Sequence, residues 1–295
     1  MLGEISKQIK ELDELRKVGL RADYDQMMAV FGKLASLSGR YYSLVPQKIG
    51  ENEVAKPITR ENVLQTEFTK LDNLVNVEFT SRILLAALYR QYEIHPIKYI
   101  YNSLGVKIVP LVEGDPECDL IRAYCVNTTD ESTIKKIQIF KIERKGEPER
   151  FEKVAADIGN RKLLFHGSGA TNFIGLLSQG MRIAPPEAPT TGFMFGKGCY
   201  FADMFQKSLS YSTGFQSRFL LLCDVALGNA KKLYRAEYVE KLEDKYQSVK
   251  GCGSKGPDFK NKRVVTPQGY SLPLGRPIHY EEPPEEERKK ILASF

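Results

Sequence analysis

The sequence predicts an α+β fold in which an all-α part precedes a mainly antiparallel β part. Apolar residues recur at three- and four-residue spacing in the first third of the chain, as they do in amphipathic helices. Short runs rich in Val, Ile, Leu and Phe, separated by Gly, Pro and Asp, follow in the remainder. Strands and helices alternate too sparsely there for a doubly wound parallel sheet. We therefore expect a boundary near residues 90–103, with one domain at 1–100 and another at 101–295.

Two amphipathic helices are predicted in the first part, over residues 23–39 and 62–92. A connection that contains Pro46 and Pro57 separates them. Each helix has an apolar stripe that we expect to face the core. The stripes are Met27, Phe31, Leu34 and Leu37 in the first helix, and Leu64, Phe68, Leu71 and Val75 in the second.

Four strands and two short helices are predicted in the second part. The first short helix has Thr171 or Asn172 as its N-cap and Gly180 as its stop, and the second begins near Asp203. We expect few other helices. The predicted strands cover residues 106–112, 135–143, 161–165 and 219–227.

Composition excludes several classes of protein. The five cysteines are scattered and never form CxxC, so we expect reduced thiols rather than disulfides or a structural zinc. No signal peptide or membrane span is visible, which favours an intracellular protein. The net charge of +6 is spread among acidic residues, so a DNA-binding protein is the weakest hypothesis. The GxGxxG match at residues 251–256 lacks a flanking buried strand and helix, which argues against a dinucleotide fingerprint.

One histidine lies in an unusual context. His166 ends the apolar run LLF and is followed by Gly167, which permits close backbone approach, and by Ser168, a compact hydroxyl. Such a triplet alone is typical of an ordinary turn. His95, before Pro96, has the context of a helix cap or surface residue.

The segments around this histidine resemble a known family. LLFHGS, GMRIAPPEAP, GFMFGKGCYFADM and KSLSY, in this order, are similar to the NAD-binding core of the poly(ADP-ribose) polymerases, particularly their DNA-dependent nuclear branch. Upstream, LSGRYYSLVP and LDNLVNVEFTSRIL resemble the helical regulatory subdomain of that branch. The similarity extends over residues 30–275. It implies a helical regulatory subdomain followed by an ADP-ribosyltransferase domain.

The resemblance implies a role for each matching residue. His166 would bind the adenosine-side ribose of NAD+, and Gly167 and Ser168 would hold the nicotinamide carboxamide. Tyr211 would stack on the nicotinamide ring, opposite Tyr200. The remaining residues carried over are Arg182 near the adenosine and phosphates, Gly175 and Ser208 in the pocket, and Lys207 on the acceptor side.

The implied reaction is cleavage of the nicotinamide–ribose bond with transfer of ADP-ribose to a protein or to a growing ADP-ribose chain, without a metal. By the same resemblance, Tyr200, Lys207 and Glu282 would form the catalytic set. Glu282 is the candidate because Tyr280-Glu281-Glu282 is the local match to the Tyr-x-Glu of the family. A solvated acidic tail is the alternative interpretation of this stretch. The chain would then be a catalytically silent NAD-binding or scaffolding module.

The same resemblance implies the cellular setting. It suggests a nuclear protein in DNA repair, with protein acceptors that include the protein itself and with no membrane partner. The DNA-sensing modules and the last strands of the family are expected to be absent from this chain, so that any DNA contact is indirect.

Overall fold

A computed structural model describes residues 1–18, 24–45, 47, 54–129, 136–183, 193–213, 217–280 and 284–286. The chain forms two compact units, one at Met1–Val75 and one at Asn76–Ile183 together with Met194–Phe295. Helices come first in the chain, and a β-containing part follows, so the predicted α+β class is confirmed. The boundary near residue 100 stays a prediction.

The first unit is helical. It contains α1 (Leu2–Val18), α2 (Tyr24–Leu44) and the start of α3 (Glu61–Tyr89). Apolar side chains at helical spacing on these helices, together with Ile58 from the connection, form one core. Its buried members are Leu2, Ile5, Ile9, Leu12, Val30, Leu34, Tyr41, Ile58 and Leu64.

Both predicted stripes contain one misplaced residue. Phe31 is 42% exposed and Val75 is 64% exposed, whereas the other members are buried or packed against the core. On α2 the buried face runs through Val30, Leu34, Ser38 and Tyr41, one position away from Phe31. The apolar residues of α2 alone do not define this face, because the helix also buries a serine and a tyrosine.

Ser38 is buried because its hydroxyl is satisfied twice. Its Oγ donates to the carbonyl O of Leu34 at 2.6 Å and accepts from the backbone N of Ile58 at 2.9 Å. The hydroxyl thus joins α2 to the connection that precedes α3.

In the described residues of the second unit, five α-helices follow α3. They are α4 (Pro96–Leu104), α5 (Pro116–Asn127), α6 (Glu147–Ile158), α7 (Phe173–Gln179) and α8 (Phe205–Tyr211). His95 caps α4, since its Nδ1 accepts from Ile97 N at 3.3 Å, and Pro96 begins that helix. The second part therefore has more helix than predicted, because α4, α5 and α6 were not expected.

A four-stranded sheet forms the centre of the second unit, in the order β4-β3-β9-β8. The central strand β3 (Arg161–Gly167) pairs antiparallel with β4 (Leu220–Ala226) and parallel with β9 (Ser271–Pro273), which pairs antiparallel with β8 (Arg263–Val265). The remaining strands form three two-stranded sheets. These are antiparallel β1 (Val106–Leu111) with β2 (Ile139–Arg144), parallel β5 (Ala230–Leu233) with β6 (Ser248–Gly251), and antiparallel β7 (Lys255–Pro257) with β10 (Pro277–His279).

The core of the second unit forms around Phe165 of β3. Its ring lies 4.6 Å from that of Tyr124 on α5 and 5.5 Å from that of Phe205 on α8, between ring centroids. Leu163, Leu209 and Leu272 join the same cluster. A strand, two helices and the late strand β9 therefore meet at one aromatic side chain.

Two further expectations concern local sequence. The GxGxxG stretch at residues 251–256 joins β6 to β7, whereas a dinucleotide fingerprint opens a helix. All five cysteines lie in the described part of the chain, each as a free thiol. In the described part of the chain, no helix combines the length and apolarity needed to cross a membrane.

Candidate functional site

The site is built at the end of β3. Leu163, Leu164 and Phe165 are buried, and the strand then emerges at His166 and Gly167, which pair with Leu221 and Leu220 of β4. The turn Tyr200–Asp203 lies against the same end, because Phe165 and Ala202 exchange two backbone hydrogen bonds of 2.8 Å. The strand end and the turn thus form one rigid rim.

His166 is oriented by this turn. Its Nδ1 lies 2.8 Å from the carbonyl O of Tyr200, and the ring packs edge-on to Phe201 at 6.1 Å. Because a carbonyl oxygen only accepts hydrogen bonds, Nδ1 carries the proton. In the neutral ring, Nε2 is then an acceptor. His166 is therefore prepared to accept a hydrogen bond from a hydroxyl group.

Gly167 touches the backbone of α8. A Cβ built at this glycine would lie 1.8 Å from the carbonyl O of Ser208, a distance that no side chain tolerates. Ser208 is only 3% exposed, and its Oγ donates to the carbonyl O of Phe165 at 3.0 Å. Glycine thus lets β3 and α8 approach each other at the rim.

Ser168 is held by Asn172, for which the sequence predicted only a helix-capping role. The side-chain Nδ2 of Asn172 donates to Ser168 Oγ at 2.9 Å, so the serine proton remains available to donate. Asn172 precedes α7 as predicted, but its side chain makes no capping bond. The one sequence feature consistent with this contact is the spacing of four residues between Ser168 and Asn172.

The two tyrosines differ in how firmly they are held. Tyr200 Oη donates to the carbonyl O of Gly196 at 2.7 Å and accepts from Phe195 N at 3.0 Å, and burial raises the pKa of its phenol. Tyr211, the last residue of α8, is 64% exposed. One aromatic ring is thus fixed in place, and the other is largely exposed to solvent.

The remaining predicted residues lie on or after α7 and α8. Gly175 is on α7, and Arg182 is exposed two residues after Gly180, which ends that helix with φ +80°. Lys207 is on the exposed face of α8. The structure thus places His166 in contact with Tyr200 and Gly167 in contact with Ser208 at the rim, whereas Arg182 and Lys207 lie on its flanking elements.

A groove of about 280 Å³ opens beside α8. Lys207 lines it together with Asp203, Lys250, Lys255 and Tyr280. Tyr280 Oη donates to the carbonyl O of Pro257 at 2.8 Å, and burial raises the pKa of this tyrosine to about 12.

Glu282, the predicted catalytic carboxylate, lies outside the described residues. Within the described ranges, no group of three or more His, Cys, Asp or Glu side chains is arranged to bind a metal ion.

Comparison with known proteins identifies the family to which this chain belongs. The family model of the poly(ADP-ribose) polymerase catalytic domain matches residues 116–289, and that of the poly(ADP-ribose) polymerase regulatory domain matches residues 1–101. The chain belongs to the poly(ADP-ribose) polymerase family. The predicted resemblance is thereby confirmed.

Several poly(ADP-ribose) polymerases are similar along most of this chain. Poly(ADP-ribose) polymerase 2-A of Oryza sativa subsp. japonica is 38% identical over 290 residues, which cover 94% of this chain and 42% of the rice protein. Poly(ADP-ribose) polymerase 1 of Danio rerio is 38% identical over 291 residues, 92% of this chain and 28% of its own length. Poly(ADP-ribose) polymerase 1 of Caenorhabditis elegans is 36% identical over 256 residues, 82% and 26% of the two chains. The chain thus spans less than half the length of each of these relatives.

Proposed function

We propose that the protein is an NAD+-dependent ADP-ribosyltransferase that cleaves the nicotinamide–ribose bond and transfers ADP-ribose to protein side chains or to a growing ADP-ribose chain. The rim at the end of β3 is the observation that carries this proposal. There a histidine whose Nδ1 proton is already bonded lies beside a glycine at which a Cβ would clash with the backbone of α8. The match to the catalytic-domain family model supports the same reaction.

The nicotinamide end would bind at Gly167 and Ser168. An amide needs one donor and two acceptors, which backbone groups of Gly167 and the Ser168 hydroxyl supply without bulk. The exposed ring of Tyr211 would stack on the nicotinamide, with the fixed ring of Tyr200 as the opposite wall. Ser208 and Gly175 would complete the pocket.

The adenosine end would bind at His166 and Arg182. With Nδ1 bonded to the Tyr200 carbonyl, the Nε2 of His166 accepts a hydrogen bond from a ribose hydroxyl. Arg182 is exposed and cationic, as a partner of the adenosine ribose and the phosphates requires.

The chemical step requires stabilisation of a developing positive charge. As the C–N bond breaks, its electron pair goes to the nicotinamide nitrogen and the ribose becomes oxocarbenium-like, as in glycoside hydrolysis. Glu282 would accept a hydrogen bond from the nicotinamide-ribose hydroxyl and take the proton of the acceptor as the new bond to the ribose forms. The choice of this residue draws on Tyr280, two positions earlier in the sequence, which lines the groove with Lys207. Residue 282 also lies within the matched catalytic region.

The acceptors, cellular location and biological process that we propose are inferred from the family. Acceptors would be proteins, including the chain itself, and the protein would act in the nucleus in DNA repair. The catalytic step requires no metal in this scheme, because the carboxylate supplies both the charge and the base.

Labelled NAD+ tests this function. Wild-type protein should release nicotinamide and become labelled, and Ser168→Ala and Glu282→Gln should each reduce labelling by at least about 100-fold, the usual range for general acid–base groups and active-site donors. Ser210→Ala, on the exposed face of α8, and Glu286→Gln are matched controls that should retain activity.

Two outcomes would contradict the proposal. Saturable NAD+ binding without nicotinamide release by the wild type would identify a silent NAD-binding module. Full activity of Glu282→Gln would exclude this residue as the carboxylate.

A further inference from the structure

The end of α5 holds the start of α8. Thr128, the C-cap of α5, is fully buried, and its Oγ accepts from the backbone N of Phe205 at 3.1 Å. Its carbonyl O accepts from Gln206 N at 3.2 Å. The first two backbone donors of α8, which have no partner inside that helix, are thus satisfied by one residue of another helix.

Tyr124, one turn earlier on α5, extends this junction to β3. Its buried Oη lies 3.1 Å from the carbonyl O of Asp203 and 3.3 Å from that of Leu163. Thr128 Oγ in turn donates to the carbonyl O of Tyr124 at 2.8 Å. The end of α5 is therefore bonded to the strand that bears His166 and to the segment that leads into α8.

The orientation of α8 depends on such external contacts. A helix of seven residues is too short to be stable by itself. Ser208 and Tyr211 follow Phe205 by three and six residues, so a shift of the first turn moves both of them relative to Gly167. Contact between Gly167 and the Ser208 carbonyl leaves little room for such a shift.

We propose that Thr128 is a positioning residue of the nicotinamide site, which sets the position of α8 against the end of β3 through its hydroxyl. This inference rests on the proposed function, because it assigns the nicotinamide end of NAD+ to Gly167 and Ser168 at the end of β3 and to Tyr211 at the end of α8. Thr128 touches no substrate itself. It acts on Ser208 and Tyr211 through the backbone of α8.

Ser38 serves as a control that separates a positioning role of Thr128 from a purely structural one. Ser38 on α2 has the same bonding pattern, since its hydroxyl donates to the carbonyl four residues earlier and accepts a backbone N–H from a distant segment. Both hydroxyls are buried, but Ser38 lies in the helical unit. Loss of either hydroxyl leaves a buried N–H without its acceptor.

The test measures binding of the two halves of NAD+ separately. Calorimetry gives dissociation constants for nicotinamide and for ADP-ribose with wild type, Thr128→Val, Thr128→Ser and Ser38→Ala. Thr128→Val should weaken nicotinamide binding about 10-fold, the size of one lost hydrogen bond, while ADP-ribose binding changes less than about 2-fold. Thr128→Ser should restore nicotinamide binding, and Ser38→Ala should leave both ligands unaffected while it lowers the unfolding temperature.

The outcomes separate the two proposals. Equal weakening of both ligands by Thr128→Val, or unchanged binding by a folded Thr128→Val protein, would overturn the positioning role. Failure of Thr128→Ser to restore binding would also overturn it. A wild-type protein that binds neither nicotinamide nor ADP-ribose would instead refute the proposed function.

Discussion

At Gly167 the geometry of the site depends directly on the residue type in the sequence. Replacement by alanine puts a Cβ 1.8 Å from the Ser208 carbonyl, and the contact is backbone rather than a flexible side-chain end. Either β3 or α8 must move. We expect Gly167→Ala to lower the free energy of unfolding by about 1–3 kcal/mol, the usual cost of overpacking. Urea denaturation measures this loss, and nicotinamide binding should fall with it.

Gly198 is the matched control, because it lies in the adjacent loop and a Cβ there would meet nothing within 4 Å. Gly198→Ala should change the free energy of unfolding by less than about 0.5 kcal/mol, as surface substitutions usually do. If Gly167→Ala were as stable as Gly198→Ala, the close approach of β3 and α8 would be wrong.

At the residue scale, site residues could be predicted best where the local backbone requires one residue type. His166 and Gly167 stood out because a strand end followed by glycine is a local pattern. Asn172 was not assigned to Ser168, since its contact depends on how the turn before α7 folds. Phe31 was placed in the core and is exposed, because apolarity alone does not show which side of a helix is covered.

Helix α7 is held at its C-terminal end by an arginine from β2. The guanidinium of Arg144 donates to the carbonyl oxygens of Leu177 at 3.0 Å and Leu176 at 2.9 Å, and it pairs with Glu147 at 2.6 Å. Both carbonyls belong to the last turn of the helix, and Leu176 O also accepts the capping N–H of Gly180. Its positive charge also suits the negative end of the helix dipole. Arg144 is therefore the external cap of α7.

Arg144→Lys should loosen this end of α7. A lysine retains the charge but cannot direct two donors at neighbouring carbonyls in a fixed plane. We expect a loss of about 1–2 kcal/mol in the free energy of unfolding and faster amide hydrogen exchange at Gly180, whose N–H bonds to Leu176 O. Arg150→Lys on α6, an exposed position, is the control. Unchanged exchange at Gly180 would contradict the capping role.

At the element scale, strands were easier to predict than the helices between them. The runs 161–165 and 219–227 are rich in Leu, Phe and Val, and both form adjacent strands of the central sheet. Helix α5 was missed although Asp115 caps it, accepting from Glu117 N at 2.8 Å, and Pro116 begins it. Its apolar residues alternate with charged ones and two cysteines, so its helical period is weak in the sequence.

The stability of the whole molecule should fall at alkaline pH. Burial raises the pKa of the Cys125 and Cys223 thiols to about 12, from an ordinary value of 9.0. Between these values the unfolded chain loses the thiol protons while the folded chain keeps them, so unfolding is favoured as pH rises. At pH 11 each thiol should lower the free energy of unfolding by about 3 kcal/mol relative to pH 8.

Urea denaturation of Cys125→Ala at both pH values tests this dependence. The variant should lose less stability between pH 8 and pH 11 than the wild type, because one of the two thiols no longer titrates. Val126→Ala, a neighbour that does not titrate, should lower stability equally at both pH values. The same decrease with pH in Cys125→Ala and wild type would show that this thiol is not protected by the fold.

At the scale of the molecule, the order of the helical and β parts could be predicted, because apolar residues are spaced differently along the sequence in helices and in strands. The pairing of strands could not be obtained in the same way. Strand β9 has three residues, and its parallel pairing with β3 joins Lys162 to Ser271, more than a hundred positions later. Nothing local in either segment specifies the other as its partner.

This late pairing has a consequence for how the chain acquires its shape during synthesis. Leu272, completely buried, packs in the same cluster as Phe165, and Ser271 Oγ donates to the carbonyl O of Arg161 at 3.2 Å. A ribosome that has released the segment up to β4 has therefore supplied only one of the two neighbours of β3. Since long-range strand pairing is slow, we expect the substrate pocket to mature only after residue 273 has emerged, however early His166 is made.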